Sequence, residues 1–314
     1  MMKYNSDLTV GDISILVALL GKMYGPVNSL LNIQVEWIRS MALFTRIFEY
    51  FDMPVEIANP NDPVQPEGKP EGRVEFKNVN FKYSAKAERF ALSDIDLHIE
   101  SGMTVGILGG TGSSKSTLVQ LIPRLYDVSE GCLKVGGVDV RNYDLDALRN
   151  DVAMVLQKNT LFSGTIKDNL RWGNPNATDE EMIAAAKAAH AHSFIKRLPK
   201  GYDTVLGENG GDLSQGQKQL LCITRIMLSL PPMLILDEAT SSIDTRTEIR
   251  IQKAFVTMMK GRTSFVVAHR LSTIKNADRI LVLTENGIEE SGSHAELIDK
   301  GGIYSELYKL YSEL

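Results

Sequence analysis

Fifteen residues, Met103–Thr117 (MTVGILGGTGSSKST), restrict the fold more than any other stretch of the chain. An apolar run of strand length passes into small residues and then, from Lys115, into a helical pattern. Backbone N–H groups in a turn without bulky side chains, followed by a helix N-terminus, can close around an anion. The spacing approaches the phosphate-loop pattern G-x-x-x-x-G-K-[ST] and misses it at one position, because Ser114 stands where the second glycine belongs. Glycine is favoured there because the backbone bends tightly and a β-carbon costs freedom and space. Ser114 is therefore expected to strain or crowd the loop, while Gly109, Gly112, Lys115 and Ser116 keep their parts.

The chain downstream repeats this strand-to-helix alternation. MTVGILG, VAMVL, MLILD, TSFVVAH and RILVLT read as apolar strands, and helical patterns occur at 115–126, 216–229, 245–259 and 294–300. Such alternation predicts an α/β fold with a mainly parallel sheet covered by helices. Val74–Phe76 and Val79–Tyr83 alternate apolar and polar with a break at Asn78, as half-buried strands do. Thr178–Leu198 is purely helical in pattern and opens with a capping box from Thr178 to Glu181, as a helical insertion in the core would. Met53–Gly72 holds five of the eleven prolines and little that could form a core, so it reads as a linker with a new domain starting near Gly72.

At the other end, residues 8–31 are mostly apolar, yet they contain Asp12 and Lys22, and the uninterrupted run covers only Ile13–Gly21. Hydropathy alone supports a membrane helix weakly. Lys22, Ser29, Asn32, Glu36 and Ser40 stack on one helical face, with Leu20, Met23, Val27, Leu30 and Leu31 largely on the other. Two readings fit: a membrane helix whose polar stripe faces a water-filled cavity or other helices, and an amphipathic surface helix. Pro26 is expected to kink or interrupt either one.

With 314 residues, 43% of them hydrophobic, the chain can build one large or two ordinary domains. Lys and Arg number 34 against 39 Asp and Glu, a formal net charge of −5, so no basic excess points to nucleic acid. Cys132 and Cys222 have no zinc-site spacing and fit a reducing, cytosolic setting. The N-terminal MMKYNSDLTVGD lacks the pattern of a secretory signal.

Two segments carry candidate chemistry on their own residues. Around the loop, N–H groups of Gly109, Gly110, Thr111, Gly112, Ser113 and Ser114 would surround the β- and γ-phosphates of a nucleotide. Lys115 would add a point charge, Ser116 would ligate Mg²⁺, and the Thr117 hydroxyl would assist. About 120 residues later, MLILDEATSS delivers Asp237 and Glu238 to the C-terminal end of a buried strand. Asp237 would hold Mg²⁺ through water and Glu238 would polarise an attacking water. Taken alone, such an acidic pair also suits a helix cap or a solvated turn.

Between these segments lies Leu213-Ser214-Gln215-Gly216-Gln217. LSQGQ resembles the LSGGQ signature of ATP-binding cassette (ABC) ATPases, with Gln215 as the departure. The resemblance extends from Gly72 to the C-terminus, with its elements in family order. It implies that Tyr83 stacks on adenine, that Gln157 senses Mg²⁺ and water, that Asp244 communicates across a dimer, and that His269 contacts the γ-phosphate. It further implies that Ser214, Gly216 and Gln217 complete a partner's ATP site. Considered singly, Tyr83 would suit a core and His269 a structural role.

The N-terminal segment, continued by IRSMALFTRIFEYFD, resembles the last membrane helix of exporter-type half-transporters. The implied layout is that helix and its cytosolic extension over 1–52, a Pro-rich linker over 53–72, and a P-loop cassette over 73–314. The cassette would contain an antiparallel β subdomain and a helical subdomain at about 158–230. Exporters of this type place six membrane helices before the ATPase, so the chain is expected to be the C-terminal half of a longer, multi-pass membrane protein with its ATPase in the cytoplasm. The expected ligands are ATP and Mg²⁺. Expected partners are a second ABC subunit, identical or different, and the remaining membrane helices, with an unidentified exported substrate and no nucleic acid. Catalysis would rest on Glu238, His269, Gln157 and Lys115, with Ser116, Gln157 and Asp237 at the metal. Two alternatives are a regulatory ATP-binding subunit of a heterodimer and a soluble non-transport ABC ATPase.

Overall fold

Apolar side chains alternate in destination along the central strands. In Met233–Asp237, Leu234 and Leu236 enter one hydrophobic core, while Met233 and Ile235 enter a second on the opposite face. Phe265 and Val267 divide from Val266 in the same way, as do Leu281 and Leu283 from Ile280 and Val282. Strands buried on both faces need apolar residues at every position, and this is why they read as continuous runs. Each fully buried aliphatic side chain contributes roughly 1.5–3 kcal/mol, so these strands anchor whatever is built at their ends.

The computed structural model describes residues 9–65, 72–155, 160–211, 213–237, 243–268 and 271–312. Its strands are β1 (Val74–Phe81), β2 (Leu92–Ile99), β3 (Thr104–Gly109), β4 (Glu130–Val135), β5 (Val138–Asp139), β6 (Val152–Val155), β7 (Gly164–Thr165), β8 (Val205–Leu206), β9 (Met233–Asp237), β10 (Thr263–Val267), β11 (Arg279–Thr284) and β12 (Gly287–Gly292). A six-stranded sheet has the order β12-β11-β3-β10-β9-β6, parallel except for β12. A four-stranded antiparallel sheet has the order β2-β1-β4-β5, and β7 pairs with β8. The two strands expected around Asn78 are one. Asn78 adopts φ +45° inside β1, where the register shifts against both neighbours. Opposite this bulge sits Gly131, whose β-carbon would run into the carbonyls of Lys77 and Asn78.

The helical insertion also departs from its expected form. Its capping box is present, with the Thr178 N–H donating to Glu181 at 2.8 Å and the Glu181 N–H to the Thr178 hydroxyl at 3.2 Å. The helix Asp179–Ala188 then stops, and a second begins at His192. His190 turns left-handed at φ +58°, while the N–H groups of Ala191 and His190 donate to the carbonyls of Ala186 (2.7 Å) and Lys187 (3.1 Å). This is a Schellman ending with histidine in the place usual for glycine, so periodicity alone did not show it.

The chain divides into two compact units, Met1–Glu56 and Ile57–Leu314. In the first, one 42-residue helix, Val10–Phe51, starts from a capping box between Thr9 and Asp12. It runs through Pro26 without interruption, at the cost of one backbone hydrogen bond. At 1.5 Å per residue it is about 63 Å long, twice a bilayer's hydrocarbon thickness, and its most apolar window has mean hydropathy 1.4. It is therefore long and apolar enough to cross a membrane. In the second unit, part of the Pro-rich segment is fastened down. The Val64 N–H donates to the Asn142 carbonyl at 2.8 Å and the Asp144 N–H to the Val64 carbonyl at 3.1 Å. Asn59 both donates to the Asp144 carboxylate (3.0 Å) and accepts from the Leu145 N–H (2.7 Å).

Candidate nucleotide site

Parallel strands β3, β10, β9 and β6 end along one edge of the central sheet. Val267 stands beside Asp237, and Val155 beside Leu236. From this edge β3 passes through residues 110–114 into the helix Lys115–Leu121. Two positions make the turn: Gly112 at φ +84° and Ser114 at φ +60°, ψ +27°. The expected strain at Ser114 thus has a location, since it holds a left-handed conformation that costs an L-residue with a β-carbon about 1 kcal/mol. Ser113 braces the loop, its N–H (3.3 Å) and hydroxyl (2.9 Å) both donating to the Gly110 carbonyl. Ser114 caps the helix without a side-chain hydrogen bond, leaving first-turn N–H groups for another acceptor.

Lys115 folds back over the loop and donates to the carbonyls of Gly109 (2.9 Å) and Gly110 (2.7 Å). Burial lowers its pKa below the usual lysine value, and the Asp237 carboxylate opposes that shift. One residue further, the Ser116 hydroxyl donates to Asp237 Oδ2 at 3.2 Å, joining residues 121 positions apart. Serine hydroxyl and carboxylate form a hard-oxygen pair of the type Mg²⁺ accepts when phosphates and waters supply its other ligands. Among the described residues no group of three or more His, Cys, Asp or Glu is placed to hold a metal alone, so this donor set fits a nucleotide-borne ion.

Tyr83 lies just past β1 with its side chain exposed, and its hydroxyl is hydrogen-bonded to that of Thr117 at 2.7 Å. No local pattern announces this contact, because 34 residues separate the partners. A cleft of about 670 Å³ opens against Gly112–Ser114 and is walled on another side by Arg89, Phe90 and Ala91. No motif had singled out that segment.

Ser214 and Gln217 form a reciprocal cap at the start of the helix Gln215–Ser229, with contacts of 2.9 and 3.3 Å. Gln215 is the first helical residue, exposed and with helical backbone, so its departure from glycine meets no conformational penalty. Gly216 is buried, and a β-carbon on it would collide with the Thr247 side chain. Thr247 in turn donates its N–H to Asp244, the cap of the helix Thr245–Met259. Among the described residues, no hydrogen bond links Ser214–Gln217 to the loop of Lys115. Hydrogen bonds thus join Tyr83 to Thr117 and Ser116 to Asp237 around Lys115, while Gly216 of the signature packs against Thr247, which is bonded to Asp244. Gln157, Glu238 and His269 lie outside the described residues.

Residues 92–241 match the ABC transporter family. A Bacillus subtilis protein named as a multidrug export ATP-binding/permease protein, YgaD, is 46% identical over 98% of this chain and 52% of its own length. A similarly named Staphylococcus aureus protein is 44% identical over 98% of this chain and 53% of its own. The chain thus spans about half the length of the curated relatives it matches. The solved structure of a bacterial Atm1-family ABC exporter with ATP bound aligns with a TM-score of 0.79 and 36% identity, covering 97% of this chain and 53% of that one. With that match, and with relatives that resemble almost the whole of this chain, residues 92–241 form a domain of the ABC transporter family.

Proposed function

We propose that this chain is the ATP-hydrolysing part of an ABC exporter, in which residues 73–314 bind Mg·ATP and residues 1–52 contribute one membrane helix with its cytosolic extension. The observation that carries the reading is the Ser116–Asp237 contact of 3.2 Å at the foot of the loop closed by Lys115. It joins a phosphate loop to an acidic strand end in the arrangement phosphoryl transfer requires. Gly109–Thr117 would cradle the phosphates, Lys115 would leave its carbonyl partners for them, and Tyr83 would receive the base. Ser116 and Asp237, with Gln157, would hold Mg²⁺, whose charge offsets that developing on the phosphoryl oxygens. Glu238 would orient and deprotonate the attacking water, and His269 would contact the γ-phosphate.

That Ser214–Gln217 share no hydrogen bond with the loop, among the described residues, agrees with a head-to-tail pair, in which those residues close the site of a second ABC subunit. The relatives are named for multidrug export, and export of a substrate through the longer protein is the function we extend to this chain. The strained Ser114 also favours a second reading, a subunit that binds ATP and gates a more active partner. Glu238→Gln tests the assignment. ATP binding should persist while turnover falls by about 10²-fold or more. Unchanged turnover would remove Glu238 from its role, and absent ATP binding in the parent chain would remove the whole reading.

A further inference from the structure

Tyr83 is held from three sides although it lies in a loop and is 57% exposed. The Phe81 ring meets it edge-on at 4.9 Å and 81°, and the Tyr126 ring at 5.2 Å and 89°. Those contacts restrict the ring's movement, and the hydroxyl is pinned by Thr117 at 2.7 Å. Thr117 is only 5% exposed and belongs to the first turn of the phosphate-loop helix. A threonine in a helix commonly returns its hydroxyl to the carbonyl four residues back. Here the hydroxyl of Thr117 reaches across to the base platform.

We propose that Thr117 is a positioning residue for the nucleotide base: by fixing the Tyr83 hydroxyl, it locks the aromatic platform to the same helix turn that receives the phosphates. The inference rests on the reading of this site as a nucleotide site. A planar base and a polyphosphate on one ligand must meet their two subsites at a set distance and angle. An unpinned tyrosine would lose side-chain freedom on each binding event, whereas a pinned one has already lost it. The platform and the loop therefore present one prearranged surface to a nucleoside triphosphate, and the link is invisible to a ligand that lacks a base.

The test compares Mg·ATP with Mg·tripolyphosphate, which keeps the phosphates and has no base, in equilibrium binding to the 314-residue chain. Tyr83→Phe keeps the ring and removes the hydroxyl at an exposed position, so it does not depend on a core substitution. Thr117→Val removes the other partner, and Thr117→Ser retains a hydroxyl. Tyr83→Phe and Thr117→Val should each weaken ATP binding about threefold to tenfold, the range expected for one net hydrogen bond. The double variant should be no weaker than either single one, Thr117→Ser should bind like the parent, and tripolyphosphate affinity should be unchanged in Tyr83→Phe. The proposal is overturned if Tyr83→Phe binds ATP like the parent, if the two losses add, or if Thr117→Val weakens tripolyphosphate as much as ATP. If the parent chain binds neither ligand, the nucleotide reading fails together with it. Binding of tripolyphosphate and ATP that ignores both hydroxyls overturns the positioning role alone.

Discussion

Ser114 and Gln215 both replace glycine of the family pattern, yet the backbone treats them differently. Ser114 is left-handed and Gln215 is helical, so only the first should respond to restoring glycine. Ser114→Gly relieves about 1 kcal/mol of local conformational cost, partly offset by the greater freedom of glycine in the unfolded chain. ATP affinity should stay level or tighten by up to about fivefold, as read by titration, and Gln215→Gly should bring no such gain. A marked loss in Ser114→Gly would show that the serine is fitted to the loop. Lys115 gives a pH test. Because burial lowers its pKa against the pull of Asp237, the ammonium that attracts phosphate is lost at lower pH than in a free lysine. ATP affinity should therefore decline with rising pH before the ordinary lysine value of 10.5 is reached. The sign for the nucleotide-free fold is opposite: its folded pKa is lowered, so the unfolded chain holds the proton more firmly and stability rises through the same window. Affinity that stays flat up to 10.5 would contradict the assignment.

At the level of elements, the clasp on the Pro-rich segment can be opened without touching the sheet. Asn59→Ala removes both contacts to Asp144 and Leu145, worth about 1 kcal/mol each or less at an exposed site. Hydrogen exchange should accelerate over residues 57–64 and stay unchanged in β3 and β9; equal protection in parent and variant would mean that the segment is held by something else. The same contrast explains what the sequence could disclose. β9 and β11 were readable to the residue, because burial on both faces demands unbroken apolar runs. The bulge at Asn78, the left-handed His190 and the clasp at Asn59 were not, because each depends on a partner chosen by tertiary packing or on a turn conformation that several residue types can adopt. The site divides likewise: loop, acid and signature are contiguous words in the chain, whereas the Thr117–Tyr83 contact exists only once β1 and the loop helix are side by side.

For the molecule as a whole, ligand binding should appear as stability. A nucleotide at one hundred times its dissociation constant adds about 2.7 kcal/mol, which for a unit of this size is roughly a 5–10 °C rise in melting temperature. Mg·ATP should produce that shift in the second unit, and no shift at saturating nucleotide would argue against a formed site. The clasp also changes what the Pro-rich segment is within the second unit. Asn59 and Val64 are both tied to residues 142–145, so only the four residues Pro60–Pro63 lie between the ties. A slack spacer would let its two ends drift apart. Fastened at both points, this stretch is a small closed loop whose ends are kept at a fixed distance.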